Sequence, residues 1–496
     1  LKKSNNFVQA SFDFLKEETM EAIKGHKCSF NSIILFLILV SLPSIAQQNQ
    51  IVANWQGALK ISSIQLRIVF NVIETENQKL IATLDSPDQG AFGIPVDTVI
   101  FNPPYVKFEV TSIAGFFEGN LNETAQSILG KWNQGGQSFD LELSRSDSVI
   151  TINRPQEPKP PFPYIEEEVV FENNAANITL EGTLTYPKEG ANFPAVILVS
   201  GSGPQNRNEE LLGHKPFLVL ADFLTRNGIA VLRYDDRGVG KSTGDFSSAT
   251  TLDFVSDALS AVEFLKSRDQ INKNQIGIIG HSEGGLIAPI AAVQSEDVAF
   301  IIMMAGPGLR GKEILVLQTE LILRANGEPE DQIKKGSLLN ERLYDILLSE
   351  NDSAATSAQL REVFEKAYNE MTDAEKTEIG DKDIFMERQF GMMQSPWFKY
   401  FLAYDPYETL TKVGCPVLAL NGAKDLQVPP KENLAMIEKA FKESGKENYK
   451  LVELPGLNHL FQTAKTGSPM EYSTIEETIS PSALNVMKDW ILETIK

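Results

Sequence analysis

The chain has 496 residues, 42% of them hydrophobic, enough for two folded units with a sizeable core. Its 66 acidic side chains outnumber 45 basic ones, and the net charge of −21 excludes non-specific nucleic-acid binding, which relies on Lys and Arg neutralising phosphates. Two cysteines and four histidines, dispersed at 26, 214, 281 and 459, offer little for a disulfide framework or a zinc site.

Near the start, Lys24 and Lys27 precede the apolar run IILFLILVSL, and Ser44-Ile45-Ala46 supplies small residues where a signal peptidase inspects the chain. This pattern predicts an export signal over residues 1–46, with translation starting at or near Met20 and the mature chain at Gln47. The apolar run is too short to span a bilayer, so no stable membrane insertion is expected after cleavage. The first 46 residues carry five basic and four acidic side chains, which leaves a mature charge of −22. Cys28 departs with them and Cys415 remains alone. The chain is therefore expected to be periplasmic or secreted, without an intrachain disulfide.

Residues 47–152 read as an all-β accessory domain. Alternating segments such as ALKISSIQLRIVFNVIE, QKLIATLDS, YVKFEVTSI and QSFDLELSR are separated by Gly, Pro, Asn and Asp. The pattern is similar to a small lipocalin-like barrel, in which Trp55 and Trp132 either plug the ends or fill the core. Contact with a glycan or an envelope partner is one expectation for such a unit. Five prolines in 153–163 predict a stiff, extended linker.

From 164 to 496 strands and helices alternate, which implies an α/β unit with a mostly parallel sheet covered by helices on both faces. PAVILVS and IAVLRY read as strands, with helices at Pro216 to Arg226 and Leu252 to Ser267. The buried strand Gln275 to Ile279 then runs into Gly280-His281-Ser282-Glu283-Gly284 and an apolar helix to Val293. After VAFIIMMAG come about a hundred charged, helical residues, 307–405, too long for a loop and read as a helical cap insertion. PVLALNG, a helix from Glu432 to Phe441, the strand Tyr449 to Leu454 and a last helix from Pro481 complete the unit.

A random chain of this length carries a G-x-S-x-G pentapeptide roughly 0.1 to 0.2 times, and this one has two. Only Ser282 lies between a buried strand and an apolar helix, the setting of a strained nucleophile turn. There Gly280 and Gly284 are needed because side chains would collide as strand and helix close. Ser242, in GKSTG, sits in a polar loop well past its strand. The Gly-Lys-Ser of that loop is no phosphate loop, since Asp235 stands where the first glycine is required.

A serine hydroxyl needs a base, and the base needs an acid to hold its tautomer. In the order serine, acid, histidine, the acid should follow a late strand and the histidine the last one. Asp425 in NGAKDLQVPP and His459 in PGLNHLF meet both demands, whereas Glu432 and Glu453 fall in a helix and a strand. The predicted triad is Ser282, Asp425 and His459. Oxyanion donors are expected from the amides of Glu283 and Ser202, with Gly201 and Gly203 allowing close backbone approach. The Glu283 side chain either faces solvent or pairs with Arg207.

VSGSGPQNRNE, RYDDRGVGKSTG, IGHSEGG, NGAKDLQVPP and NHLF together resemble the α/β-hydrolase superfamily, in particular bacterial or exported carboxylesterases with a GSGPxDRDE loop and an extra N-terminal domain. The resemblance spans Tyr164 to Lys496 and implies a serine esterase with a helical cap, acting on a small-molecule ester. Asn206 and Asn208 replace aspartates of that loop, and Ser200 stands where many hydrolases have histidine. No metal or cofactor is needed for an acyl-enzyme on Ser282. A serine aminopeptidase would require a cap carboxylate for the substrate ammonium, for which Glu313, Glu320 or Glu341 is placed. A binding protein with an inactive core is the third reading.

Overall fold

The computed structural model describes residues 50–61, 64–75, 77–87, 91–146, 153–349, 353–372, 376 and 382–496. The expected export segment, residues 1–46, lies outside them.

The first unit is one nine-stranded antiparallel sheet: β1 (Ala53–Ile61), β2 (Ile64–Glu74), β3 (Leu80–Ser86), β4 (Ala91–Val96), β5 (Thr98–Asn102), β6 (Tyr105–Val110), β7 (Gly115–Leu121), β8 (Ser127–Gln134) and β9 (Gln137–Ser146). Its order is β4-β3-β2-β1-β9-β8-β7-β6-β5, so β1 closes onto β9 and the edges are the sequence neighbours β4 and β5. The long alternating run from Ala58 divides into β1 and β2, with Ile61 opposite Ile64. Because residues three positions apart face each other there, the inward set moves from odd positions in β1 (Trp55, Leu59) to even ones in β2 (Ile68, Phe70, Val72). Trp55 and Trp132 are core residues: both are buried, among Phe70, Phe108 and Phe117. Phe70 and Phe108 stack at 4.5 Å, and Trp55 Nε1 donates to Ile51 O at 2.7 Å, so the indole's polar edge is satisfied inside the core.

The second unit is an eight-stranded sheet of β10 (Tyr164–Asn173), β11 (Ile178–Pro187), β12 (Phe193–Val199), β13 (Ala230–Tyr234), β14 (Ile271–His281), β15 (Phe300–Met304), β16 (Val417–Gly422) and β17 (Tyr449–Leu454). The order is β10-β11-β13-β12-β14-β15-β16-β17, antiparallel up to the β11–β13 pair and parallel beyond it. The paired segments of β12 to β16 are mostly apolar, as helices cover both sides of the sheet. On one side pack α1 (Pro216–Arg226) and the C-terminal helix; on the other α2 (Thr251–Lys266) and α3 (Gly284–Gln294). Between β15 and β16 the chain forms the cap: α4 (Gly311–Ala325), α5 (Glu330–Leu347), α6 (Ser353–Glu370), α7 (Lys382–Gln394) and α8 (Pro396–Ala403). These helices have a core of their own around Leu343, Leu360, Phe398 and Leu402.

The linker is anchored to the second unit. Arg154 donates to the carbonyls of Leu212, Gly213, Ser473 and Ile475, and Gln156 Oε1 accepts from the amides of Thr478 and Ile479.

One buried ion pair fixes α2 against the loop after β13. Arg237 grips Asp257 through two hydrogen bonds, of 2.8 and 2.9 Å, and also reaches Asp253. Burial pushes the Asp257 carboxyl pKa upward against the opposing pull of Arg237. Arg237→Ala is expected to cost about 3–5 kcal/mol of stability at neutral pH, because it strands a buried carboxylate. With its folded pKa raised above the unfolded value, that carboxyl exacts its full penalty at high pH and sheds it as it protonates. Denaturant unfolding should therefore show a smaller deficit at mildly acid pH than at neutral pH; equal deficits would contradict this account.

Candidate active site

All the predicted site residues lie at the carboxyl ends of the parallel strands, where loops from an open α/β sheet converge. Ser282 follows β14 directly and takes φ +53°, a left-handed conformation that a serine adopts only under constraint. The turn is tight enough that a Cβ on Gly280 would lie 1.8 Å from Gly284 O, and one on Gly284 would lie 2.2 Å from Val199 O. The Ser282 amide donates to Met304 O at 2.8 Å, which ties the turn to the neighbouring strand.

Asp425 and His459 come together. His459 Nδ1 lies 2.9 Å from Asp425 Oδ2, while Asp425 Oδ1 accepts from the amides of Gln427 (2.9 Å) and Val428 (2.8 Å). Both side chains are buried. A carboxylate held by two amides in the following turn cannot swing away, so it fixes the ring with its proton on Nδ1 and leaves Nε2 to accept. The ring sits beside the elbow: His281, one residue before the serine, lies 4.9 Å from it centroid to centroid. Ser282 Oγ itself makes no hydrogen bond among the described residues; such bonds commonly tighten only when substrate arrives.

The expected oxyanion loop is equally close. A methyl on Gly201 would reach 3.2 Å from Ser282 Cβ. Among the described residues neither the Ser202 nor the Glu283 amide donates to a protein acceptor. The loop is held from behind by Asp236, which accepts from Ser200 Oγ (3.0 Å) and from the Gln205 amide (2.9 Å). Burial pushes the Asp236 pKa up to about 8, against the opposing effect of those two donors. Ser200, where many hydrolases have histidine, thus serves as a donor to that carboxyl. Asn208 bonds the buried Arg233, and Asn206 Oδ1 accepts from the Asn208 amide at 2.9 Å. Gly203 has φ +93° and open space around it.

Neither expectation for the Glu283 side chain holds. It is buried, and its Oε1 accepts from Thr251 Oγ1 at 2.7 Å and from Trp397 Nε1, in α8 of the cap, at 2.8 Å. Burial raises its pKa to about 7, opposed by these two hydrogen bonds. Arg207 is engaged elsewhere, with Asp235 through two bonds of 2.8 and 3.2 Å and with Glu168 and Thr183. A local pattern could not foresee Glu283, because its cap partner lies 114 residues onward. Ser242 is structural: its hydroxyl donates to Asp235 O and accepts from the Glu181 amide.

Two residues that sequence reasoning passed over join the site. Glu209 Oε1 accepts the Gly201 amide at 2.8 Å and lies 2.8 Å from His281 Nδ1, while His281 Nε2 lies 3.0 Å from His459 O. The available signal was a histidine closing an otherwise apolar buried strand, where an imidazole requires polar partners. His214, by contrast, is held between Thr478, Tyr472 O and Gln462 away from the elbow, its pKa lowered to about 4 by burial.

Residues 215–377 match the family described as serine aminopeptidase, S33, and residues 355–477 the prolyl oligopeptidase family. The first match spans the elbow and the second spans Asp425 and His459. Esterase EstD of Thermotoga maritima is 26% identical over 346 residues, which is 69% of this chain and 73% of that protein. Among solved structures, Est1E from Butyrivibrio proteoclasticus with ferulic acid bound is 19% identical, covering 66% of this chain and 99% of that one with a TM-score of 0.38. The Pyrococcus furiosus esterase Pf2001 is 15% identical, covering 70% and 98% with a TM-score of 0.40. Family matches running from the strained serine to the late histidine, on a sheet of this order, give the second unit the α/β-hydrolase fold.

Proposed function

We propose that the protein is an exported serine hydrolase that cleaves small carboxylic esters through an acyl-enzyme on Ser282. His459 Nε2 takes the serine proton as Oγ attacks the ester carbonyl, then returns it to the departing alcohol. Water, deprotonated by the same nitrogen, releases the acid in the second half. Asp425 holds the imidazole and stabilises the imidazolium, and the amides of Ser202 and Glu283 receive the oxyanion. The observation that carries this reading is the His459–Asp425 bond of 2.9 Å, with the second carboxylate oxygen locked by two amides beside a serine in left-handed conformation. The esterase relative, matched over 73% of its length, favours esters as the substrate class.

A peptidase reading has one supporting feature. Glu313, Glu320 and Glu341 line a single open cap groove of about 470 Å³, together with Asp345. The groove also holds Arg310 and Lys312, and Lys312 pairs with Asp345 at 2.5 Å, so its charge is mixed rather than uniformly suited to an ammonium. The N-terminal sheet unit is proposed to serve as an accessory domain that engages a glycan or envelope partner.

Ser282→Ala should abolish labelling by a fluorophosphonate probe and lower kcat by at least about a thousandfold, and Asp425→Asn should cost on the order of 10³–10⁴-fold in kcat with the protein still folded. Wild-type protein that is not labelled would instead favour a binding protein with an inactive core. In a direct comparison, nitrophenyl butyrate should turn over faster than aminoacyl nitroanilides; the reverse ranking would establish the peptidase reading. Glu283 yields a stability test. Its folded pKa of about 7 lies above the ordinary carboxyl value, so the wild type loses stability as pH climbs, by about 3 kcal/mol once the group is ionised. The thermal stability of Glu283→Gln relative to wild type should therefore rise from mildly acid to mildly alkaline pH, and a flat difference would refute the assignment.

A further inference from the structure

Glu209 and His281 take no chemical part in the reaction proposed above, yet each is only 5% exposed and together they touch three loops of the site. The Gly201 amide of the oxyanion loop donates to Glu209 Oε1, the same oxygen faces His281 Nδ1 on the elbow, and His281 Nε2 faces the backbone carbonyl of His459. A carbonyl oxygen only accepts, so Nε2 carries a proton. Glu209 Oε1 takes two donors, as an ionised carboxylate does, so Nδ1 carries one as well. We propose that Glu209 and His281 are positioning residues, a buried carboxylate–imidazolium pair that fixes the oxyanion loop and the His459 backbone relative to Ser282.

The pairing also resolves an electrostatic conflict. The His281 and His459 rings are 4.9 Å apart, and a lone cation on His281 would oppose the imidazolium that His459 becomes during catalysis. Glu209 cancels that charge while leaving the hydrogen bonds in place. Glu209 comes from the loop after β12, Asp425 and His459 from the loops after β16 and β17, and Phe461 packs its ring edge against the imidazole. Burial opposes charge on His281, but Glu209, the His459 carbonyl and Asp425 together raise its pKa above the ordinary value. The tie is therefore complete below the ordinary imidazole pKa and is lost as pH rises through the folded one, when one of the three links must break.

The inference rests on the esterase reading for its kinetic test, which is kcat and KM on nitrophenyl butyrate across pH for wild type and Glu209→Gln. The glutamine keeps the shape and removes the charge. We expect kcat to fall about ten- to a hundredfold, KM to change less than about threefold, and the alkaline limb of kcat to move to lower pH. A folded variant with unchanged kcat, or with lowered kcat and an unmoved alkaline limb, would overturn the charge pair. Should the variant not fold, nitrogen-15 histidine NMR on the wild type decides: a doubly protonated His281 ring at neutral pH supports the pair, and a neutral ring overturns it. That readout needs no turnover, so a wild type inactive on esters would count against the esterase reading alone.

Discussion

The site depends on one backbone constraint, the left-handed turn at Ser282. Strand β14 and helix α3 approach each other so closely there that Gly280 has no room for a β-carbon, and the Val199 carbonyl at the end of β12 leaves none at Gly284. A non-glycine residue held at φ +53° carries strain of order 1–3 kcal/mol, which persists only where surrounding structure over-determines it. Here the surroundings are a central strand paired on both sides and a helix whose residues Gly284 to Ala291 are all buried. The apolar burial of that helix, at roughly 1.5–3 kcal/mol for each large side chain, outweighs the cost of the turn several times over. Sheet packing thus holds Ser282 in an arrangement that the isolated segment would abandon.

Once the serine is fixed at the sheet's carboxyl edge, the polar loops around it must be fixed as well. Glu209, Asp425 and His459 within them are buried, and an unpaired buried polar group costs about 1–3 kcal/mol. Each loop is accordingly tied by a carboxyl group: Asp236 for residues 200–205, Glu209 for the Gly201 amide, and Asp425 for His459. These ties are short-range and directional, in contrast to the non-directional packing that holds the sheet. Burial raises the pKa of Asp236 and of Glu283, whereas Asp425 receives two backbone amides.

The sheet was legible because its strands are apolar, short and punctuated by turn residues. The helix expected over Pro216 to Arg226 and the strand over Tyr449 to Leu454 occur with those limits. Ser282, Asp425 and His459 could be read from order along the chain, since the fold ties that order to position on one sheet edge. Glu209 could not, because its role depends on meeting His281 72 residues later, through a loop whose path no periodicity encodes. The Trp397 contact was hidden for the same reason. Pattern reports which face of an element is buried; it does not report which buried polar groups find each other.

Glu283 brings the cap into the chemistry. Its amide is one of the two proposed oxyanion donors, and its carboxyl accepts from Trp397 on α8 and from Thr251 on α2. A cap that shifted to admit a bulkier substrate would pull on the indole, and the indole is bonded to the residue whose amide is proposed to meet the oxyanion. An N–H···O hydrogen bond holds over donor–acceptor distances of roughly 2.7–3.2 Å and weakens steeply once its angle falls below about 120°. On the proposed mechanism, substrate fit under the cap and oxyanion stabilisation share one residue, and selectivity arising in the cap would be expressed in kcat as well as in binding, because the donor that suffers acts chiefly on the transition state.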